Sequence, residues 1–154
     1  MAQPGVESRV LREGYGPGAW HGADLKAAIG DVTSTSAFRR PAPGRHNIAE
    51  IALHHAYCAR AVRSQLSGRP ADPFVIAGEN WFALDDEKAL SWRDVQATVE
   101  QEQQRLSEII AAIEAGTAVS PLGADERFGL VLGITCHAVY HAGQVQLIKR
   151  LHEA

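Results

Sequence analysis

Apolar residues recur at helical spacing along most of the chain, whereas alternating runs of β-branched residues are rare. The pattern predicts four helices, which run from about residue 20 or 22 to 31, from 48 to 67, from 91 to 116 and from about 125 to near 152. A strand-like run, "FVIA" at residues 74–77, is too short to build a sheet. The periodicity therefore indicates an all-α protein.

Residues with known preferences for helix ends mark the boundaries of these predicted helices. Asn47 is suited to the N-cap of the second helix, and Glu50 lies three residues later, where it can complete a capping box. Gly68 follows that helix and can adopt the positive φ that ends many helices. In the fourth helix, Asp125 near the start and Lys149 near the end match the signs of the helix dipole.

The connection between the second and third predicted helices is long. It covers residues 68–90 and is interrupted by proline and glycine, as in bundles whose connections cross over an end or a side. The sequence thus predicts a single domain over residues 1–154, folded as a four-helix bundle with a long crossover between helices 2 and 3. Residues 1–18 are expected to form a loose N-terminal arm, with a turn of helix at residues 7–13.

The composition is that of an ordinary globular domain, since 45% of the 154 residues are hydrophobic and 21% are charged. The formal net charge of −3 gives no basic footprint for nucleic acid or anionic lipid. No apolar run approaches the roughly 20 residues that span a membrane, and no secretory signal is expected at the N-terminus. Cys58 and Cys136 lie within predicted helices, so we expect reduced thiols in a cytoplasmic protein.

Two histidines, His137 and His141, lie four residues apart in the fourth predicted helix. They share one face with the apolar residues Leu130, Ile134 and Ile148, so they point toward the core. Burial is unfavourable unless the ring nitrogens find partners, which a divalent metal or ordinary hydrogen bonds can supply. Metal ligands must be neutral and free histidine has a pKa near 6.5, so a metal here would bind less tightly below about pH 6.

The second predicted helix contributes two adjacent histidines, His54 and His55, which cannot both face inward. Each continues an apolar stripe of that helix, so periodicity does not choose between them. Either one can meet the pair on the fourth helix, and three protein ligands plus water form an open site of the catalytic type. Cys58, four residues after His54, is interpreted as a small core residue in preference to a further ligand.

The positions of the other histidines give less indication of a role in a site. His21 lies near the start of the first predicted helix, His46 is expected in a turn, and His152 is expected in solvent at the last turn. Glu50 lies one turn before His54 and is a candidate hydrogen-bond acceptor for a ligand, but its capping role is the simpler account.

Three segments together resemble the DinB-like family, which includes YfiT-like metal-dependent hydrolases and related thiol transferases. They are "AWHGADL" at residues 19–25, "GRHNIAEIALHHAYCARAV" at 44–62 and "LGITCHAVYHAGQVQLIKR" at 132–150. The resemblance implies a bundle with a crossover and a divalent metal, usually nickel or zinc. Matched residue by residue, the metal ligands would be His54, His137 and His141. Relatives often carry an aromatic residue, usually Trp, where this chain has Cys58.

The resemblance also implies a function. A metalloenzyme would act on a small molecule, either by transfer of a low-molecular-weight thiol or by metal-assisted hydrolysis. No separate general base stands out, which favours thiol transfer because a metal-bound thiolate is itself the nucleophile. The alternative is a non-catalytic, metal-stabilised bundle that serves as a stress-related binding module.

Partners follow from the same resemblance. Relatives are often dimers, so we expect a homodimer, and the apolar residues of "FVIAGENWF" at residues 74–82 are a candidate contact. We expect neither a nucleic acid nor a membrane as a partner.

Overall fold

In the computed structural model, which describes residues 3–154, the chain forms six helices joined by loops. They are α1 (Val6–Gly14), α2 (Leu25–Gly30), α3 (Ser34–Phe38), α4 (Ile48–Ser67), α5 (Trp92–Glu114) and α6 (Ala124–Glu153). No strand occurs within residues 3–154, which confirms the predicted all-α class. None of the six helices is long and apolar enough to cross a membrane.

The three long helices α4, α5 and α6 correspond to the second, third and fourth predicted helices. The Asn47 side chain accepts a hydrogen bond from the Glu50 N–H, and the Glu50 carboxylate accepts one from the Asn47 N–H. This is the predicted capping box. Gly68 ends α4 with a φ of 68°, and the Ser91 hydroxyl begins α5 by accepting from the Asp94 N–H. Local capping chemistry therefore sets the ends of these helices as the sequence indicates.

The first of the four predicted helices is not present as a single helix. In place of one helix over residues 20–31, α2 is short and begins after Asp24, whose side chain accepts from the Ala27 N–H. The expected loose arm contains α1, which contacts α5 and α6 and buries Leu11; residues 1 and 2 lie outside the described part of the chain. Because α1 and α2 both contact α5 and α6, two short helices share the place of one long helix.

A glycine explains why α1 packs against the bundle. A Cβ at Gly14 would lie 2.8 Å from the Cβ of Ala138, so only glycine permits this approach of α1 to α6. The glycine and proline residues that follow, in "GYGPG" at 14–18, separate α1 from α2. The helical pattern of α1 is too short to distinguish a packed helix from an arm.

Two clusters of buried apolar residues show how the long helices run. The N-terminal halves of α4 and α5 pack in the first cluster, which includes Ile48 and Val95. Their C-terminal halves pack in the second cluster, which includes Leu66 and Ile110. Helices α4 and α5 therefore run parallel, and residues 68–91 return along the bundle as the expected long crossover.

Helix α6 runs in the opposite direction, since Val131 packs in the second cluster and Ile148 in the first. The two clusters meet near the middle of α4 and of α6. On α6 the junction falls between Ile134 and Ala138, which places His137 at the boundary. His54 and His141 lie within the part of α4 and α6 that packs in the first cluster, close to this boundary.

One buried carboxylate joins the start of α4 to the crossover. The side chain of Glu50 is 2% exposed, and its oxygens accept hydrogen bonds from Arg40 (2.6 and 2.9 Å), His46 (2.9 Å) and the Leu84 N–H (2.9 Å). Burial alone would raise the pKa of this carboxyl, but the hydrogen bonds from Arg40, Leu84 and His46 hold the pKa below its ordinary value. Glu50 is therefore ionised at neutral pH.

Replacing Glu50 with glutamine (E50Q) should lower the free energy of unfolding by about 2 to 3 kcal/mol, because Arg40 loses its buried anion. Denaturant unfolding at neutral pH measures the change. The control is Glu108→Gln, on the exposed face of α5, which should stay within about 0.5 kcal/mol of wild type.

The effect of E50Q should also depend on pH. The folded-state pKa of Glu50 lies below the ordinary value, so its contribution is fully present above that value and is lost as the pH falls through the lowered pKa. The difference between wild type and E50Q should therefore shrink in acid. If the difference in the free energy of unfolding between wild type and E50Q were the same at neutral and acid pH, this account would be contradicted.

Candidate metal centre

Three histidines from two helices meet near the middle of the bundle. His54 lies on α4, and His137 and His141 lie on α6; their candidate ligand atoms all lie within 4.8 Å of one another. The Nε2 atom of His137 is 3.1 Å from Nε2 of His54 and 3.1 Å from Nε2 of His141. Nitrogen atoms bound to one tetrahedral metal at about 2.05 Å lie about 3.3 Å apart. The observed spacing is close to that value.

The outer ring nitrogens of His54 and His141 are held by acceptors. Nδ1 of His54 lies 2.8 Å from the carbonyl oxygen of Asn80, which can only accept, so this nitrogen carries the proton of the neutral ring. Nδ1 of His141 lies 2.7 Å from Oε1 of Gln144 and donates in the same way. Both rings therefore direct an Nε2 lone pair toward Nε2 of His137.

His55 lies behind His137, outside the group of candidate ligands. Its Nδ1 atom is 2.9 Å from Nδ1 of His137, and its side chain is 1% exposed. When His137 carries its proton on Nδ1, it donates to His55 and leaves a third Nε2 lone pair directed at those of His54 and His141. The structure thus brings His54 to the pair on α6, and it places His55 as a hydrogen-bond partner of His137.

The clustered rings are neutral at physiological pH. Burial lowers the pKa of His54 and of His141. For His137, burial together with the neighbouring His141 and His54 lowers the pKa to about 4. Burial lowers the pKa of His55 well below its ordinary value. Neutral imidazoles have the free lone pairs that metal ligation requires.

The crossover supplies groups that orient His54. The Trp81 ring stacks on the His54 ring at a centroid distance of 3.9 Å, and His46 stacks at 3.8 Å from the Trp81 ring. Asn80 has a φ of 62°, a conformation that asparagine tolerates better than most residues, and its carbonyl accepts from His54. The ring of His54 is therefore fixed by residues 26 and 27 positions away in the sequence.

Other residues considered from the sequence lie elsewhere. Sγ of the half-buried Cys58 is 3.9 Å from each ring nitrogen of His54, and Cys58 is not part of the candidate ligand group. Burial raises the pKa of the Cys58 thiol, so it stays protonated. His21 is exposed and bonds to the Glu13 carbonyl oxygen, and His152 is partly buried beside the Ser36 hydroxyl.

A groove of about 510 Å³ opens beside the cluster and reaches His141 and Gln144. Most of its lining is apolar, with Ile51, Trp81, Leu147 and Ile148 among the side chains. No aspartate or glutamate of residues 3–154 lines it. The groove gives a small, largely apolar molecule access to the edge of the histidine cluster.

His46 also lines this groove, although its position in the sequence indicates only a turn. Its Nδ1 atom lies 2.9 Å from an oxygen of the Glu50 carboxylate, which is buried behind it, so an imidazole that lines the groove is paired with a carboxylate that does not. The four-residue spacing of His46 and Glu50 is compatible with a contact between their side chains. The sequence alone did not predict this contact, because Glu50 was assigned to helix capping. Such a pair can accept or donate a proton.

Comparison with known families agrees with these features. The sequence model of the DinB superfamily matches residues 19–145, a range that includes the crossover and the three clustered histidines. Comparison with curated proteins and with solved structures gives no match. Because the family match covers most of the chain, this protein belongs to the DinB superfamily.

Proposed function

We propose that this protein binds one divalent metal through the Nε2 atoms of His54, His137 and His141 and uses it to activate a low-molecular-weight thiol for transfer to a small electrophile. The observation that carries the proposal is the convergence of the three Nε2 atoms, at 3.1 Å for two of the pairs. A proton on His137 can be donated to only one neighbouring lone pair at a time. A metal cation satisfies all three.

The donor set fits a borderline metal. Neutral imidazoles suit zinc, nickel, copper and iron(II), and the family resemblance favours nickel or zinc. The candidate group within residues 3–154 has three members, which leaves a coordination position for a further ligand. The groove beside His141 provides a route to that position.

The groove also supports the choice of reaction. When bound, the metal would lower the pKa of a thiol or water in its open position. Hydrolysis needs a further group to move protons, and thiol transfer does not need a separate nucleophile. Since no carboxylate among the described residues lines the groove, thiol transfer is favoured. The His46–Glu50 pair is the group that would accept a proton if the reaction were hydrolysis.

A second candidate function rests on burial. His54 is 7% exposed and His141 is 4% exposed, and both lie among residues of the first apolar cluster. A metal here would also cross-link α4 to α6. A non-catalytic, metal-stabilised bundle that serves as a stress-related binding module is therefore the alternative.

Replacing His137 with alanine should abolish stoichiometric metal binding, because two imidazoles on separate helices hold a divalent metal weakly. Metal analysis after gel filtration measures the loss. The matched control is His21→Ala, which should keep one equivalent because His21 is exposed and bonds only to the Glu13 carbonyl oxygen. Full metal in His137→Ala, together with loss of metal in His55→Ala, would mean that the ligand set is wrong.

The reaction is tested with the same proteins. The metal-loaded wild type should consume a low-molecular-weight thiol in the presence of an electrophilic acceptor, and His137→Ala should not. Full metal without thiol consumption in a broad screen would favour the non-catalytic alternative. Hydrolysis of an ester or amide without thiol consumption, lost in His46→Gln, would assign the hydrolytic reaction instead.

The contact between His55 and His137 should tune metal affinity. Replacing His55 with phenylalanine keeps a ring in the core but removes the partner of His137 Nδ1. Loss of such a partner weakens metal binding by about 10- to 100-fold. Chelator competition gives the dissociation constant, and His55→Asn, which restores an acceptor, should recover part of the affinity. A dissociation constant unchanged in His55→Phe would contradict this role.

The lowered pKa values of the three histidines change the pH dependence that we expect for metal binding. Three unperturbed histidines would weaken metal binding about 50-fold between about pH 7.5 and about pH 6. Burial lowers the pKa of His54 and His141, and that of His137 falls to about 4, so protons compete only at lower pH. We therefore expect less than about a tenfold change over this range and a steep fall toward pH 4. A 50-fold loss by pH 6 would show that the rings titrate as in solvent.

A further inference from the structure

The groove beside the histidine cluster is elongated along α6. Its α6 side runs from His141 to Leu151, which is about 15 Å along the helix. At the far end, the Arg39 guanidinium donates to the His152 carbonyl oxygen at 3.2 Å and holds the segment before α4 against the end of α6. Residues of the segment 41–45 also line the groove. The groove therefore leads from the cluster to this segment.

The middle of the groove is apolar. Ile51 and Ile148 are 3% and 7% exposed and lie at its base, whereas Leu147 and Leu151 are 59% and 50% exposed and lie at its rim. A ligand with an apolar body would remove the exposed surface of these leucines from water, which favours binding.

One residue gives the groove its charge. Among the described residues 3–154, Arg45 is the only aspartate, glutamate, lysine or arginine that lines it. The Arg45 N–H donates to the Ala42 carbonyl oxygen and its own carbonyl accepts from Arg40, but within the same residues no carboxylate pairs with its guanidinium. An exposed arginine without an acid is ordinary on a protein surface. Arg45 differs because it lines an apolar groove.

Two carboxylates contact the segment before α4, and both are bonded to a different arginine. An oxygen of Glu50 lies 2.6 Å from the guanidinium of Arg40, and an oxygen of Asp85 lies 2.7 Å from it. Because these acids are paired with Arg40, the charge of Arg45 is left to attract an anion at the far end of the groove.

A second free donor lies near the cluster. Oε1 of Gln144 accepts from Nδ1 of His141 at 2.7 Å, and its amide nitrogen has no partner within residues 3–154. The guanidinium of Arg45 and the amide nitrogen of Gln144 both require acceptors. An amine would meet a like charge at Arg45, and a wholly apolar ligand would cover the guanidinium without a partner. A carboxylate satisfies it.

We propose that this groove takes an elongated organic acid, whose carboxylate pairs with Arg45 and whose opposite end lies at His141. Guanidinium suits this role because it can bond a carboxylate through two parallel hydrogen bonds. The inference rests on the proposed function for the reaction and names the class of electrophile that would receive the thiol. Arg45 then determines specificity without contacting the reacting atoms.

Calorimetric titration of the purified protein with matched probes tests the class of ligand. The probes are 4-phenylbutyrate, 4-phenylbutanol and 4-phenylbutylamine, which share a ring and a chain and differ in the terminal group. At low ionic strength the carboxylate should bind about tenfold more tightly than the alcohol, and the amine more weakly than either. Acetate, which has the charge without the apolar body, should bind about 100-fold more weakly than 4-phenylbutyrate.

Replacing Arg45 with glutamine should remove this preference. The affinity for 4-phenylbutyrate should fall about tenfold, whereas that for 4-phenylbutanol should stay within about twofold of wild type. The matched control is Arg69→Gln. Arg69 is also exposed, but it follows the C-terminal end of α4 and does not line the groove, so the preference should remain.

A pair of substitutions at Leu147 tests whether the probe lies in the groove. Leu147→Glu and Leu147→Gln introduce side chains of similar size at an exposed position, and only glutamate adds a negative charge. Leu147→Glu should therefore weaken 4-phenylbutyrate more than Leu147→Gln does, whereas the two variants should bind 4-phenylbutanol alike. Equal binding of 4-phenylbutyrate to both variants would place the probe outside the groove and overturn the proposal.

Other outcomes would also overturn it. They are equal affinity of the wild type for the carboxylate and the alcohol, and a preference for the carboxylate that Arg45→Gln keeps. A preference that Arg45→Gln keeps and a chelator removes would mean that the metal holds the carboxylate.

The proposed reaction can fail separately. Selectivity for 4-phenylbutyrate that depends on Arg45, without thiol consumption, would support a groove for organic acids in a non-catalytic protein. Thiol consumption with neutral electrophiles, without selectivity for the carboxylate, would overturn this inference alone.

Discussion

The ionised carboxylate of Glu50 is the contact on which the arrangement around the site depends. It fixes the segment before α4 through Arg40 and His46, and it fixes the end of the crossover through the Leu84 N–H. Four residues before Leu84, the carbonyl of Asn80 holds Nδ1 of His54. A buried anion near the start of α4 thus anchors both sides of the stack that orients a candidate metal ligand.

The cluster itself combines rigid helices with a positioned loop. His137 and His141 are fixed by the geometry of one helix, whereas His54 comes from a second helix and is oriented by the crossover. Burial keeps the rings neutral, and their outer nitrogens are bonded to Asn80, Gln144 and His55. The resulting group of Nε2 lone pairs is better suited to a cation than to hydrogen bonding among the rings.

The sequence predicted the long helices well because their ends carry strong local signals, such as the capping box of Asn47 and Glu50. It predicted a turn of helix at residues 7–13 but not the packing of α1 against the bundle, because that packing depends on the absence of a side chain at Gly14. Periodicity did not separate His54 from His55, since both lie on faces that pack, and only the family resemblance selected His54. The roles of Trp81 and Asn80 depend on how a long loop returns across the bundle, which no local pattern encodes.

The most direct test of the metal centre is anomalous diffraction from crystals of the metal-loaded protein. We expect one peak per chain, about 2.0 to 2.1 Å from the Nε2 atoms of His54, His137 and His141, with His55 bonded to His137 and outside the coordination sphere. A peak coordinated by His55 or Cys58 in place of His54, or no peak between α4 and α6 in crystals that contain the metal, would contradict the account.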